Sequence, residues 1–324
     1  MKVMKKYLIM GMAVCAMLFS SCKNENISVS REVKFEVNPF EVINGFVNNE
    51  VVSGDLAELD YGSSLRVNFL VYNSSGYLEA SDVKYLPNYT STANVSFDLA
   101  DGEYVVVVTT DEVDYNGTVT LEYWNFTGKE RLTELKITDA GYIGGESKIL
   151  GLGHEKIALG AGKTSFHVNM KPVGALVIAN IWDISHYNDV DVYNLLSNKT
   201  TSVCSFNADG SYNTYSEEAS YQRYYVQRFY PSDFTTYGAY GYQYFFPMGE
   251  THFIWEAEFG DGTSADMTDD MLLSIEKEKT YQFTLDLGEG TYYFGEVGNS
   301  KSNAMFLFGK SLSKNTRESK RKNE

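Results

Sequence analysis

Apolar residues fall on alternate positions through much of this 324-residue chain. A run with period two buries a single face only when it is extended, so the pattern commits the chain to β-strands. Leu65, Val67, Phe69 and Val71 share one face, while Arg66 and Asn68 point the other way. Val95, Phe97 and Leu99 alternate into Asp101-Gly102, a hairpin signal. Val119, Leu121 and Tyr123 repeat the pattern, and Leu132 to Ile137 adds another strand. Tyr104 to Val108 is apolar on both faces, which predicts a central strand inside a sandwich. Asn73-Ser74-Ser75-Gly76 is a turn by composition. Gly141 to Gly153 reads as a glycine-rich connection. Helix-period stretches are nearly absent, and 25 Tyr and 19 Phe stand against only 5 Pro. The profile is all-β, sandwich or barrel.

A second unit is expected from near Gly160. Phe166, Val168 and Met170 alternate with Ser165, His167 and Asn169 before Pro172 interrupts. Val173 to Ile184 is apolar on both faces and reads as the buried strand of a second sandwich. Phe253, Trp255, Ala257 and Phe259 form one inward face, and Tyr281, Phe283, Leu285 and Leu287 another.

The N-terminus carries a different message. Lys2, Lys5 and Lys6 precede an uncharged apolar run, Tyr7 to Phe19, and then Ser20, Ser21 and Cys22. This is the layout of a secretory signal peptide. The run is too short to span a bilayer, which takes about 20 residues. Ser20-Ser21-Cys22 is similar to the lipobox of bacterial lipoproteins, although Phe19 stands where Leu is commoner. In that pattern the cysteine becomes the acylated first residue of the mature chain. Cys22 is therefore the expected lipid-attachment residue, with the outer membrane as its partner. No spanning segment is needed, because two or more acyl chains hold a protein stably. The expected division is a signal at 1–21, a polar tether at 22–32, sandwiches at 33–158 and 159–300, and a short strand with a basic tail at 301–324.

Charge and cysteine usage narrow the function. The formal net charge is −16; the signal holds three lysines and the last 16 residues six Lys/Arg against two Glu, which leaves −23 on the body between. Such a surface repels nucleic acid. The tail has almost no apolar residues after Leu312, so its composition predicts no packed structure. Of three cysteines, Cys15 leaves with the signal and Cys22 is acylated, so Cys204 stands alone and is expected as a buried small hydrophobe.

Catalytic motifs are unsupported. Ala304 to Ser311 matches a loose phosphate-loop pattern, but Met305-Phe306-Leu307-Phe308 prefers an extended strand and no helix pattern follows. The histidines, His154, His167, His186 and His252, have no spacing that fixes a metal, and no Gly-x-Ser-x-Gly elbow occurs. Asp261, Asp266, Asp269 and Asp270 crowd one loop without the register of a calcium motif. No metal, cofactor or enzymatic activity is expected, and the only attached group is the covalent lipid.

The segment Tyr212 to Phe246 is the most unusual in composition. Its tyrosines are interspersed with Ser, Thr, Gly and Gln, the composition of adaptable binding surfaces. Tyr221, Tyr224, Tyr225, Tyr230, Tyr237, Tyr240 and Tyr242 are the candidate ligand-binding residues, with a glycan or a protein as ligand. The bland alternative is a pair of edge strands and a loop whose rings cover a core.

Three stretches together resemble a known family: Arg66 to Tyr72, Phe97 to Val107, and Phe166 to Val177, all behind a lipoprotein signal. They are similar to the fimbrillin-like lipoproteins, the FimB and fimbrillin A-associated group. The resemblance covers roughly residues 22 to 295. It implies two transthyretin-like β-sandwiches, an outer-membrane or fimbrial location, and a part in adhesion or pilus assembly. It further implies strand addition between fimbrial subunits after cleavage behind a basic residue, for which Arg31 is nearest. Anchor subunits of that family keep their lipid. The basic tail departs from the family pattern, in which the chain ends on strand-forming residues, and tilts the reading toward an anchor or accessory subunit.

Overall fold

The structure, a computed structural model, describes residues 30–46, 58–139, 148–160, 162–183, 189–218, 224–234, 238–245, 249–297 and 304–307. Strands dominate it. β1 (Ser30–Val37) leads into a one-turn helix, α1 (Phe40–Asn44). Then come β2 (Ser63–Asn73), β3 (Leu78–Leu86), β4 (Ala93–Ala100), β5 (Gly102–Tyr115), β6 (Val119–Glu122), β7 (Trp124–Thr127) and β8 (Lys136–Asp139). β9 (Gly151–Leu159), β10 (Ser165–His167) and β11 (Lys171–Pro172) precede β12 (Ala175–Trp182). β13 (Val190–Ser197), β14 (Lys199–Phe206), β15 (Tyr212–Glu218), β16 (Tyr224–Phe229), β17 (Gly238–Phe245) and β18 (Gly249–Phe259) follow. The last are β19 (Ser264–Asp266), β20 (Met271–Ile275), β21 (Thr280–Asp286), β22 (Thr291–Glu296) and β23 (Ala304–Leu307).

Three sheets surround the first core. A front sheet runs β10-β1-β4, a central sheet β11-β9-β5-β2-β3 with β6 on β5, and a cover sheet β15-β14-β8-β7. Leu65, Val67, Phe69 and Val71 are fully buried in the same core as Val33, Phe35 and Val37 of the front sheet. The opposite face of β2 is buried as well. Trp124, Ile137, Cys204 and Phe206 of the cover sheet complete that core. This is why Arg66 and Asn68, which the alternation turns outward, are only 5% and 3% exposed. Asn68 donates to Thr109 Oγ1 at 2.9 Å. Arg66 forks onto Asp111 at 3.0 and 2.7 Å and also pairs with Glu122. Burial pushes the Asp111 carboxyl up to about 6, while the Arg66 guanidinium pulls it back.

Several local expectations change in detail. Asn73 to Gly76 is the β2–β3 turn, with the Asn73 side chain accepting from the Ser75 and Tyr77 amides at 3.0 and 3.2 Å. Asp101-Gly102 does not close a hairpin: β4 pairs with β1 whereas β5 pairs with β2 and β9, so the chain turns a sandwich corner there. A two-residue type I′ hairpin needs positive φ at both positions, and neither residue has it. Leu132–Glu134 is a 3-10 turn, and the strand is confined to Lys136–Asp139. The glycine-rich connection holds a strand from Gly151 onward. A Cβ at Gly151 would meet Thr110 Oγ1 at 2.3 Å and a Val42 methyl at 2.4 Å, so glycine is there for close approach.

The segment after Gly160 still belongs to the first core, since β10 pairs in parallel with β1 and β11 pairs with β9. The chain crosses over at β12. Leu176 and Ile178 belong to the first core, and Ala175, Val177, Ala179 and Ile181 to the second. The strand is apolar on both faces because it stands between the two.

The second core lies between a β17-β12-β21-β22-β23 sheet and a β16-β13-β18-β19 sheet, with β20 also on β18. Phe253, Trp255 and Ala257 meet Tyr281, Phe283 and Leu285 there, each at most 3% exposed. The β14–β15 hairpin leaves this sandwich. It begins one residue after β13 and pairs with β8, so a segment of the second half closes the first half's cover sheet. No helix among the described residues is long and apolar enough to cross a membrane.

Candidate functional site

The first candidate region is the N-terminal strand. β1 is the middle strand of its sheet, antiparallel to β4 from Ser30↔Ala100 to Val37↔Ala93, and parallel to β10. Its alternate residues Val33, Phe35 and Val37 are at most 1% exposed. Phe35 stacks on Phe166, with ring centroids 5.8 Å apart. α1 follows, and Glu41 contacts His167 at 2.7 Å and accepts from the Met170 amide at 2.8 Å. Arg31 lies inside β1 opposite Leu99; its guanidinium pairs with Asp101 and donates to the Gly160 carbonyl. The expected cut site is thus in a paired strand rather than in an open loop. Cys22 lies outside the described residues.

The second candidate region is the tyrosine-rich segment, and its members do not gather at one place. Tyr221 and Tyr237 lie outside the described residues; Tyr224 and Tyr242 are in β16 and β17 by their backbone. Tyr225, Tyr230 and Tyr240 are 37%, 45% and 66% exposed. Tyr240 sits opposite Asn180 on the outward face of the β12 sheet. Trp182, 48% exposed, shares that face two positions along from Asn180. Asn180 in turn donates to Thr284 Oγ1 at 3.3 Å. Tyr225 belongs to the other sheet of the sandwich, at the edge strand β16, and Tyr230 follows that strand. Tyr244 is buried in the first core, edge-on to Trp124 at 6.1 Å.

The outward face of the β13 sheet holds residues that the sequence alone did not single out. Strand register lines up Asp266, Glu256, Asn194 and Arg228 across β19, β18, β13 and β16. Asn194 donates to Glu258 at 2.7 Å and to Glu256 at 3.5 Å. Arg228 approaches Glu258 at 3.4 Å, and Tyr225 donates its hydroxyl to Glu258 at 3.3 Å. Burial first, and then the Glu258 charge, raise the Tyr225 phenol above its usual range. The Arg228 guanidinium lies 4.3 Å from the Tyr225 ring and 5.5 Å from that of Tyr230, so it is within cation–π reach of two exposed rings. Asn194 is fully buried, yet its Oδ1 has no hydrogen-bond partner; neither has the buried Nε of Arg228. Beside this cluster is a cavity of about 810 Å³, lined by Leu196, Ile254, His252, Asp266 and Asp270 among others. The signal was present: Glu256 and Glu258 are the outward alternates of Trp255 and Ala257. Which strands they would face is set by register, which periodicity does not supply.

Nucleophilic and metal chemistry find little footing in the described residues. Cys204 is buried, and burial pushes its thiol up to about 12. His252 contacts Asp270 at 2.5 Å, and no cluster of three or more His, Cys, Asp or Glu able to hold a metal occurs among the described residues. β23 is extended and paired with β22 over Ala304–Leu307, the described part of the stretch that mimics a phosphate loop.

No family model matches the chain, and no curated protein matches it. Among solved structures it is similar to a candidate adhesin from Bacteroides thetaiotaomicron, at 11% identity over 83% of this chain and 98% of that one, with a TM-score of 0.47. It is similar to the fimbrial anchor protein Mfa2 from Porphyromonas gingivalis, at 12% identity over 83% and 98%, with a TM-score of 0.44. A fimbrial assembly protein from Parabacteroides distasonis gives 10% identity over 86% and 98%, with a TM-score of 0.43.

Proposed function

We propose that this chain is a non-catalytic, lipid-anchored protein of the outer membrane that serves in adhesion as an anchor or accessory subunit of fimbrial type. Cys22 carries the lipid at the head of the expected polar tether, 22–32, whose last residues, Ser30, Arg31 and Glu32, already belong to β1. The observation that supports the anchor reading is the setting of β1. It is the middle strand of the front sheet, and its apolar face is buried. A subunit that donates a groove to its neighbour must first give up such a strand. Here the bond after Arg31 sits within a paired ladder, and the Arg31 side chain is engaged by Asp101 and Gly160. Retention of β1 keeps the tether, and hence the lipid, on the folded protein.

The test is direct. Cys22→Ala is expected to abolish incorporation of labelled fatty acid and to release the protein from membranes; label persisting in the variant would reject the anchor. Immunogold labelling of intact cells is expected to mark the cell surface or the bases of filaments. Labelling along the length of filaments would assign a stalk role instead.

A second reading is supported by the exposed rings of Tyr225, Tyr230, Tyr240 and Trp182. It makes the same tethered protein a glycan-binding one.

A further inference from the structure

We infer that the outward face of the β13 sheet is a saccharide site in which Tyr225 and Tyr230 supply ring surfaces and Asn194, Arg228, Glu256 and Glu258 read hydroxyls. The inference rests on the glycan reading above and names its site.

The chemistry of the cluster selects the ligand. A sugar alternates apolar CH patches with hydroxyls, each of which both donates and accepts. Tyr225 and Tyr230 offer aromatic surface that costs little conformational entropy to use. Arg228 already contacts both rings, and Glu258 is fixed by Asn194, Arg228 and Tyr225. Preformed polar groups of this kind lose less on binding than free side chains do.

The unpartnered atoms carry the argument further. Asn194 Oδ1 needs a donor and Arg228 Nε needs an acceptor, and the two residues are opposite each other in the β13–β16 ladder. A carboxylate cannot donate to the amide oxygen, and an ammonium cannot accept from the guanidinium. A hydroxyl does both. A buried polar group left unsatisfied carries its full desolvation penalty. A ligand hydroxyl that reaches the pair recovers that cost. The neighbouring cavity of about 810 Å³ shares Asp266 with this row and is large enough to take a further sugar unit, ligand sites running to about 300–1,000 Å³. Leu196 and Ile254 give it an apolar wall. Charge narrows the class: Glu256, Glu258 and Asp266 outnumber Arg228, so the face disfavours sulfated or acidic chains and suits neutral or amino-bearing sugars.

The full chain, purified in detergent, is to be tested against immobilised glucan, mannan and N-acetylglucosamine oligomers, with heparin as the anionic comparison. The expected result is binding to at least one neutral polymer, weakened tenfold or more by Tyr225→Ala and by Arg228→Gln, and unaffected by Tyr77→Ala on a remote turn. Far-UV circular dichroism checks that each variant folds; Tyr225 is exposed, so its variant is not expected to unfold. If the native chain binds none of the polymers, both the site and the glycan reading fail. Loss in Tyr240→Ala with retention in Tyr225→Ala would overturn the site and leave the wider glycan reading standing. Unchanged binding in both Tyr225→Ala and Arg228→Gln would mean that water alone bridges the buried pair, and tighter binding to heparin would overturn the charge argument; either outcome refutes the site.

Discussion

Arg66 and Asp111 form the most consequential pair of side chains in the first core. Both are removed from water, and the fork between them is completed by Glu122 and the Trp124 carbonyl. Breaking one side of a buried ion pair leaves an uncompensated charge, which typically destabilises by about 3–5 kcal/mol. Asp111→Ala is expected to fall in that range in urea unfolding, whereas the apolar double variant Arg66→Met with Asp111→Leu is expected to recover most of the loss. A double variant as unstable as the single one would contradict this account. Gly151→Ala forces a methyl against Thr110 and Val42, and overpacking of this kind costs about 1–3 kcal/mol; a shifted urea midpoint with unchanged slope is the expected signature. Both positions mark a boundary of what could be read in advance. The alternation of Leu65, Val67, Phe69 and Val71 revealed an inward face. It also turned Arg66 outward, and nothing local says that a second layer would cover that side. Gly151 and Gly153 looked like loop residues because composition cannot tell a flexible glycine from one that makes room.

β1 shows how a strand is specified from two sides. Its apolar residues alternate in the way that a half-buried strand requires, and β4 and β10 pair with it along both edges. Phe35→Ala should destabilise by about 3–5 kcal/mol through the cavity it leaves, whereas Lys34→Ala, on the exposed face, should stay within about 0.5 kcal/mol. Equal effects would show that β1 does not pack as described. A chain lacking 30–37 is expected to expose the β4 edge and to bind a synthetic peptide of the sequence SREVKFEV, measurable by fluorescence anisotropy. The corner at Asp101-Gly102 was misread for a related reason. The dipeptide signals a reversal, but only long-range pairing decides whether the next strand returns to the same sheet. The tyrosine segment illustrates the same limit, because its composition left open whether the rings meet a ligand or a core, while register assigned Tyr225 and Tyr240 to opposite faces of a sandwich.

The two cores are tied together by the β14–β15 hairpin, which is rooted in the second half and buries Cys204 and Phe206 in the first. β12 shares its faces between them. The halves are therefore expected to unfold in one transition: fluorescence from Trp124 in the first core and Trp255 in the second should report coincident urea midpoints in single-tryptophan variants. Phe206→Ala is expected to separate them, and coincidence that survives it would mean that the β12 contacts alone couple the halves. The all-β architecture and both apolar double-faced strands were legible from periodicity. The hairpin's excursion was not, since neither β14 nor β15 advertises which sheet it joins.

The position of β1 has a mechanical consequence. A pull arriving through the N-terminus runs along the axis of a strand clasped on both edges, so its ladder bonds are loaded in shear and must rupture together. An edge strand under the same pull would be held by one ladder instead of two. Tension entering at Ser30 would therefore meet two ladders at once, and the first part of the fold to feel it is also one of the best secured.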